Sequence, residues 1–178
     1  MRLLAGFGVM LIGGAAIPAA AVPITYIFNG TASGSLGGIA FSDAAVGFSL
    51  TTDTDTVFQP FSSRPNILIT GNAPIVFSVG SINGTIDGGG NVFVNNDRGA
   101  RSAVGLKPET GSDLFDVSAL SLARYDLRSA FGPLAPAFPS FLNFGEIFAT
   151  SAGKFVLADD PDTRFAADVV NTLIAQVA

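Results

Sequence analysis

The chain contains no cysteine, no histidine and no tryptophan. Without cysteine there is no disulfide scaffold, no thiolate metal site and no lipid attached through a thioether. Without histidine the commonest general base and the commonest metal ligand are both missing, which excludes Ser-His-Asp and Cys-His catalysis and the usual zinc sites. Without tryptophan, stacking on a sugar ring falls to Tyr26, Tyr125 or phenylalanine. Charge is scarce as well. Charged residues make up 13% of the chain, about half the usual share. Acidic residues outnumber basic ones 14 to 9, for a net charge of −5. No basic patch follows a phosphate backbone, so nucleic acid is not an expected partner.

What is present begins with an address. Residues 1–21 carry a single charge, Arg2, then an apolar run from Leu3 to Ile12, and they close on Ala19-Ala20-Ala21. This is the layout of a secretory signal peptide with cleavage after Ala21. A spanning helix wants about 20 apolar residues, and here Gly13-Gly14 and Pro18 interrupt the run. The expected organisation is a signal peptide over residues 1–21 and one domain over 22–178. That domain would be released to the periplasm or beyond, with no further element holding it to a membrane.

The 21 glycines and 16 phenylalanines, set among many Ser and Thr with few Lys and Glu, make a composition of strands and turns. Ile24 to Ser33 reads as a strand. Ala45 to Thr54 alternates most cleanly, with Val46, Phe48 and Leu50 on one face and Gly47, Ser49 and Thr51 on the other. Shorter strands are expected at Ile67–Gly71 and Asn91–Asn95, with Ile75–Gly80 and Ser81–Asp87 reading as one bent strand or two. Others follow at Leu114–Val117, Leu120–Leu127, Ile147–Thr150 and Lys154–Leu157. Gly88-Gly89-Gly90 reads as a tight turn. Pro133, Pro136 and Pro139 make residues 132–143 a long Pro/Phe-rich loop rather than a central strand. Arg164 to Val170 fits a strand, yet Ala166, Val169, Val170, Leu173, Ile174 and Val177 also keep helical spacing that Asp162 could cap; the expectation is a strand, partly helical beyond Asn171. The expected fold is mainly β: a single antiparallel β-sandwich with Gly-rich turns, a jelly-roll being one topology that fits.

Several segments reach a known group of proteins. They are Tyr26-Ile27-Phe28-Asn29-Gly30-Thr31-Ala32-Ser33-Gly34-Ser35-Leu36-Gly37-Gly38, Ala44-Ala45-Val46-Gly47-Phe48, Leu122-Ala123-Arg124-Tyr125-Asp126-Leu127, Phe131-Gly132-Pro133-Leu134 and Phe148-Ala149-Thr150-Ser151-Ala152-Gly153-Lys154-Phe155. In this order the chain resembles small exported bacterial proteins of the PEP-CTERM sorting type. It departs from them in showing no Pro-Glu-Pro signature, apolar span and basic cluster before Ala178. The resemblance implies an extracytoplasmic all-β protein linked to envelope or exopolysaccharide biology, and it supplies no catalytic residues.

Candidate sites are few. Ser151 and Lys154 match S-x-x-K, but they sit in an expected hairpin turn with no S-D-N or K-T-G partner. Glu109 and Glu146 are the only glutamates, and nothing in the sequence brings them to the spacing that glycoside hydrolysis needs. Asp159, Asp160 and Asp162 form the densest acidic cluster and could supply oxygen ligands to Ca²⁺, against the plainer reading of a solvated loop. Asn29-Gly30-Thr31 and Asn83-Gly84-Thr85 are formal glycosylation sequons, read here as turns or bulges. Phe131, Phe138, Phe141 and Phe144 could form a recognition surface with Tyr125, or fold back to cap the domain. No catalytic residue is expected. The function that fits is a non-enzymatic structural or adhesive domain of a bacterial envelope or extracellular matrix, with a polysaccharide or an envelope protein as partner. The alternatives are a carbohydrate-binding module using Tyr125, Phe138 and Phe141, and a carboxylate-based glycoside hydrolase. No cofactor beyond Ca²⁺ is expected.

Overall fold

A computed structural model describes residues 21–96, 102–135, 139 and 141–171. The expected signal peptide, Phe138 and the helical spacing beyond Asn171 lie outside the described residues. Eleven strands occur among the described residues: β1 (Pro23–Leu36), β2 (Ile39–Asp53), β3 (Ile67–Ile69), β4 (Ala73–Val79), β5 (Ile82–Asn95), β6 (Ser102–Pro108), β7 (Phe115–Ala119), β8 (Phe141–Leu142), β9 (Phe148–Thr150), β10 (Gly153–Leu157) and β11 (Arg164–Asn171). The protein is mainly β and its pairings are antiparallel, as expected.

The strands do not divide into two separate sheets. They form one continuous sheet that closes on itself through six strands in the order β4-β2-β1-β10-β9-β5, with β5 pairing back onto β4. Two long strands make this possible, because each changes partner midway. β1 pairs with β11 over Ile24–Thr31, then with β10 over Gly34–Leu36, keeping β2 on its other side throughout. β5 pairs with β4 and touches β9 in its first half, then takes β6 and β3 in its second. The barrel therefore opens at one end into layers. There β11 lies across from β7, and the Phe115 and Phe165 rings stack at 4.3 Å.

The partner change in β5 explains the Gly88-Gly89-Gly90 run. These residues do not turn the chain back, as the sequence suggested; they bend a strand that continues through them. Gly88 and Gly89 take φ of +79° and +69°, which side-chain-bearing residues rarely adopt, and the pairing with β4 slips between Ala73 and Ile75. Two further expectations are corrected. Leu120–Leu127 is not a strand but a 3-10 turn (Leu120–Leu122) and an irregular loop. The Asn-Gly pairs at Asn29 and Asn83 are strand residues rather than turns, and the β1 bulge falls between Ala32 and Gly34.

The interior is aromatic. Cross-strand register sets Phe28 beside Phe48 and Phe48 beside Phe77. Phe48 is the hub, with ring centroids 5.5 Å from Phe115, 5.8 Å from Phe155 and 6.2 Å from Phe165. Phe77 reaches Phe155 at 5.8 Å and Phe28 reaches Phe115 at 5.2 Å. Tilted and edge-on pairs of this kind add to the burial of large rings. Ile24, Leu50, Ile75, Val92, Val94, Val104 and Leu106 fill the remaining space, all buried.

The seam of the barrel is thin. It consists of the Ile86–Thr150 pair together with two hydrogen bonds at Ser151. Exposed sheet edges are covered by coil. Phe131 bridges Val169 and the Leu134 N–H donates to the Ala167 carbonyl beside β11, while Phe58 bridges Ile69 beside β3.

Truncation of the hub tests this packing. Phe48→Ala should lower unfolding free energy by about 3–5 kcal/mol in urea titration, whereas Phe144→Ala, on an exposed ring, should change it by less than about 0.5 kcal/mol.

Candidate functional site

The acidic loop between β10 and β11 works as a brace. The Ser33 hydroxyl donates to the Asp160 carboxylate, and the Asp162 N–H donates to its other oxygen at 2.9 Å. The Asp43 N–H in turn donates to Ser33 Oγ at 3.1 Å, tying the β1 bulge to both neighbours. The Ser33 bond, followed by the Asp162 N–H, holds Asp160 below the usual carboxylate range. Among the described residues no group of three or more acidic side chains is placed to hold a metal ion.

Glu146 does similar work beside the segment that pairs with Leu157. Its carboxylate accepts from the Ser112 N–H at 3.0 Å and from the Asn143 side-chain amide. The Ser112 bond is the main reason its pKa is lowered. A glycosidase acid needs the opposite shift, so that it holds a proton to give. Ser151 is equally committed. Its hydroxyl accepts from the Thr85 N–H at 2.9 Å and its own N–H donates to the Thr85 carbonyl at 3.0 Å, so the serine of the S-x-x-K match closes the barrel.

Tyr125 is buried, at 6% exposure, and presents no open ring face. Its hydroxyl donates to the Ser129 carbonyl at 3.0 Å and its ring lies 5.2 Å from Phe131. The loop around it is strained: Arg124 and Leu127 take φ of +67° and +60°. It is held by other parts of the chain. The Tyr26 hydroxyl donates to the Leu127 carbonyl at 2.6 Å, the Asn96 amide to the Tyr125 carbonyl at 3.1 Å, and Arg128 to the Val57 carbonyl at 2.7 Å. Strain of this size persists only where surrounding bonds over-determine it. Arg124 lines a groove of about 420 Å³ with Asn66, Leu68 and Asn96. Of the phenylalanine loop, Phe141 and Phe144 are exposed while Phe131 packs against the core.

A second groove was not anticipated as a site. It runs along the outer face of β1, β2, β4 and β5, with a volume of about 360 Å³. Strand register builds it in two rows. One row is Asn83, Ser78, Gly47, Asn29; the next is Val76, Ser49, Ile27. Gly47 forms its floor at an ordinary backbone angle. A Cβ there would meet Ser78 Oγ at 2.8 Å and Asn29 Oδ1 at 3.0 Å, so the glycine leaves room for two polar side chains to lean inward. The outward placement of Gly47 and Ser49 follows from alternation in the sequence. Their companions follow only from which strands pair.

Comparison with protein families, with curated proteins and with solved structures finds no match to this chain.

Two outcomes test the tyrosine locks. Tyr26→Phe leaves the Leu127 carbonyl without its donor in the interior and should cost about 1–3 kcal/mol in chemical denaturation. Burial, the largest influence, raises the pKa of both Tyr26 and Tyr125. Above about pH 10 the unfolded chain releases phenolic protons that the folded chain keeps, so stability must fall as pH rises. Circular dichroism between about pH 9 and about pH 12 should show a drop in melting temperature that begins with tyrosine ionisation.

Proposed function

We propose that this is an exported, non-enzymatic β-domain with an adhesive or structural role in a bacterial envelope or extracellular matrix. The observation that carries the reading is how its reactive side chains are spent. Asp160 and Glu146, with lowered pKa values, fasten loops, and Ser151 fastens the barrel seam. The groove on β1, β2, β4 and β5 presents Ser, Thr, Asn and Gly beside Ile27 and Val76, and no carboxylate lines it. The wide end, where Phe115 stacks on Phe165 between layers, supports a sandwich-like description of that part of the domain. The signal-peptide layout of residues 1–21 and the resemblance to PEP-CTERM-type proteins support the extracytoplasmic placement. A carbohydrate-binding role is the second reading, and the groove over Gly47 favours it.

Expression of the full chain in a bacterial host tests both halves of the reading. Intact-mass analysis of protein recovered outside the cytoplasm should give an N-terminus at Val22, and incubation with polysaccharides should release no shortened products. A retained Met1, or release of oligosaccharides, would contradict it.

A further inference from the structure

The geometry points to the groove over Gly47 as a docking site for a neutral polysaccharide strand. This rests on the adhesive reading and assigns it a place and a ligand class.

The groove lies on a sheet face rather than an edge. Each strand beneath it is already paired, β1 and β2 with one another and β2 with β4, so an incoming peptide has no backbone edge to extend. Recognition must come from side chains. Asn29, Ser49, Ser78 and Asn83 both donate and accept hydrogen bonds, as sugar hydroxyls do. Among the described residues none of these four side chains is tied to another protein group. They are therefore free to bond a hydroxyl without first breaking an internal contact. With strands about 4.8 Å apart, the four-strand row extends about 14 Å, the length of a few sugar rings.

The floor and the charge narrow the ligand further. A glycine inside a strand marks a place where something approaches the backbone closely. Gly47 sits at the centre of the polar row with Ser78 and Asn29 leaning over it. Ile27, half-buried, and Val76, 47% exposed, offer apolar patches beside that row for the C–H faces of a sugar ring. The groove is lined without any ionisable side chain. Asp168, paired with Ile27, stands at the β11 end of the second row, and the whole chain is acidic. A polyanion would be repelled and a polycation would find no counter-charge inside the groove, which leaves a neutral chain.

Calorimetric titration of the full chain with neutral glucan and mannan hexasaccharides, beside a hexauronate, tests this. Two variants locate the site. Gly47→Val fills the trough while suiting a strand, and Asn29→Ala/Ser78→Ala removes the leaning groups should the first variant fail to fold. The expected result is binding of a neutral hexasaccharide in preference to the hexauronate, weakened by about tenfold or more in the folded variants. The proposal is overturned if no neutral hexasaccharide binds, if the hexauronate binds as well, or if both folded variants bind like the parent. It is also overturned if sedimentation shows a dimer that the variants dissociate, since the face then belongs to a second copy. Chromatography of the titrated sugar separates this from the reading beneath it. Shortened products would refute the non-enzymatic role and leave the docking site standing.

Discussion

The contact between Phe48 and its neighbouring rings is the constraint on which the rest of the molecule depends. A six-stranded barrel must fill its interior with side chains, and here a set of touching phenylalanine rings runs through an otherwise aliphatic core from the barrel into the layered end. Because Phe28, Phe48 and Phe77 lie in register on adjacent strands, the residues between them along each strand are forced outward together. The outer rows that begin at Asn29 and Gly47 are the other face of the same alternation. A one-residue slip in register would expose the rings and bury the polar row. Core packing and the outer groove are thus one specification expressed on two sides of a sheet.

The domain also depends on two strands that each serve two neighbourhoods. β1 and β5 run through the closed barrel and out into the layered end, held by a bulge in one and paired positive-φ glycines in the other. The polar side chains that looked chemically interesting act at these transitions. Ser33 and Asp160 brace the β1 bulge, and Ser151 closes the seam against β5. A fold with little charge and no disulfide fixes these irregular places with single hydrogen bonds.

Much of this was legible in the residues, and the failures have physical causes. The alternation from Val46 to Thr51 identified the inward and outward faces of β2, because one face is buried and the other wet. β6 escaped notice because it is buried nearly throughout. Ser102, Ala103 and Gly105 carry no alternation, since Phe93 covers the side away from the core. Gly88-Gly89-Gly90 has the composition of a turn, and only the change of strand partner makes it a bend. Leu120 to Leu127 has the apolar content of a strand, yet Leu122, Tyr125 and Leu127 are buried by a loop that the Tyr26 hydroxyl fastens from 101 residues away. Half of the groove over Gly47 could be read from alternation. The juxtaposition of Asn29, Ser78 and Asn83 needed the pairing of four strands.

The outer rows over the aromatic core are the proposed recognition surface, and amide chemical-shift mapping tests that assignment. In the nitrogen-labelled full chain, a neutral hexasaccharide should shift the amides of Asn29, Gly47, Ser49, Val76, Ser78 and Asn83 together. Shifts confined to the Arg124 groove or to the Phe141–Ile147 segment, with the Gly47 rows silent, would contradict it.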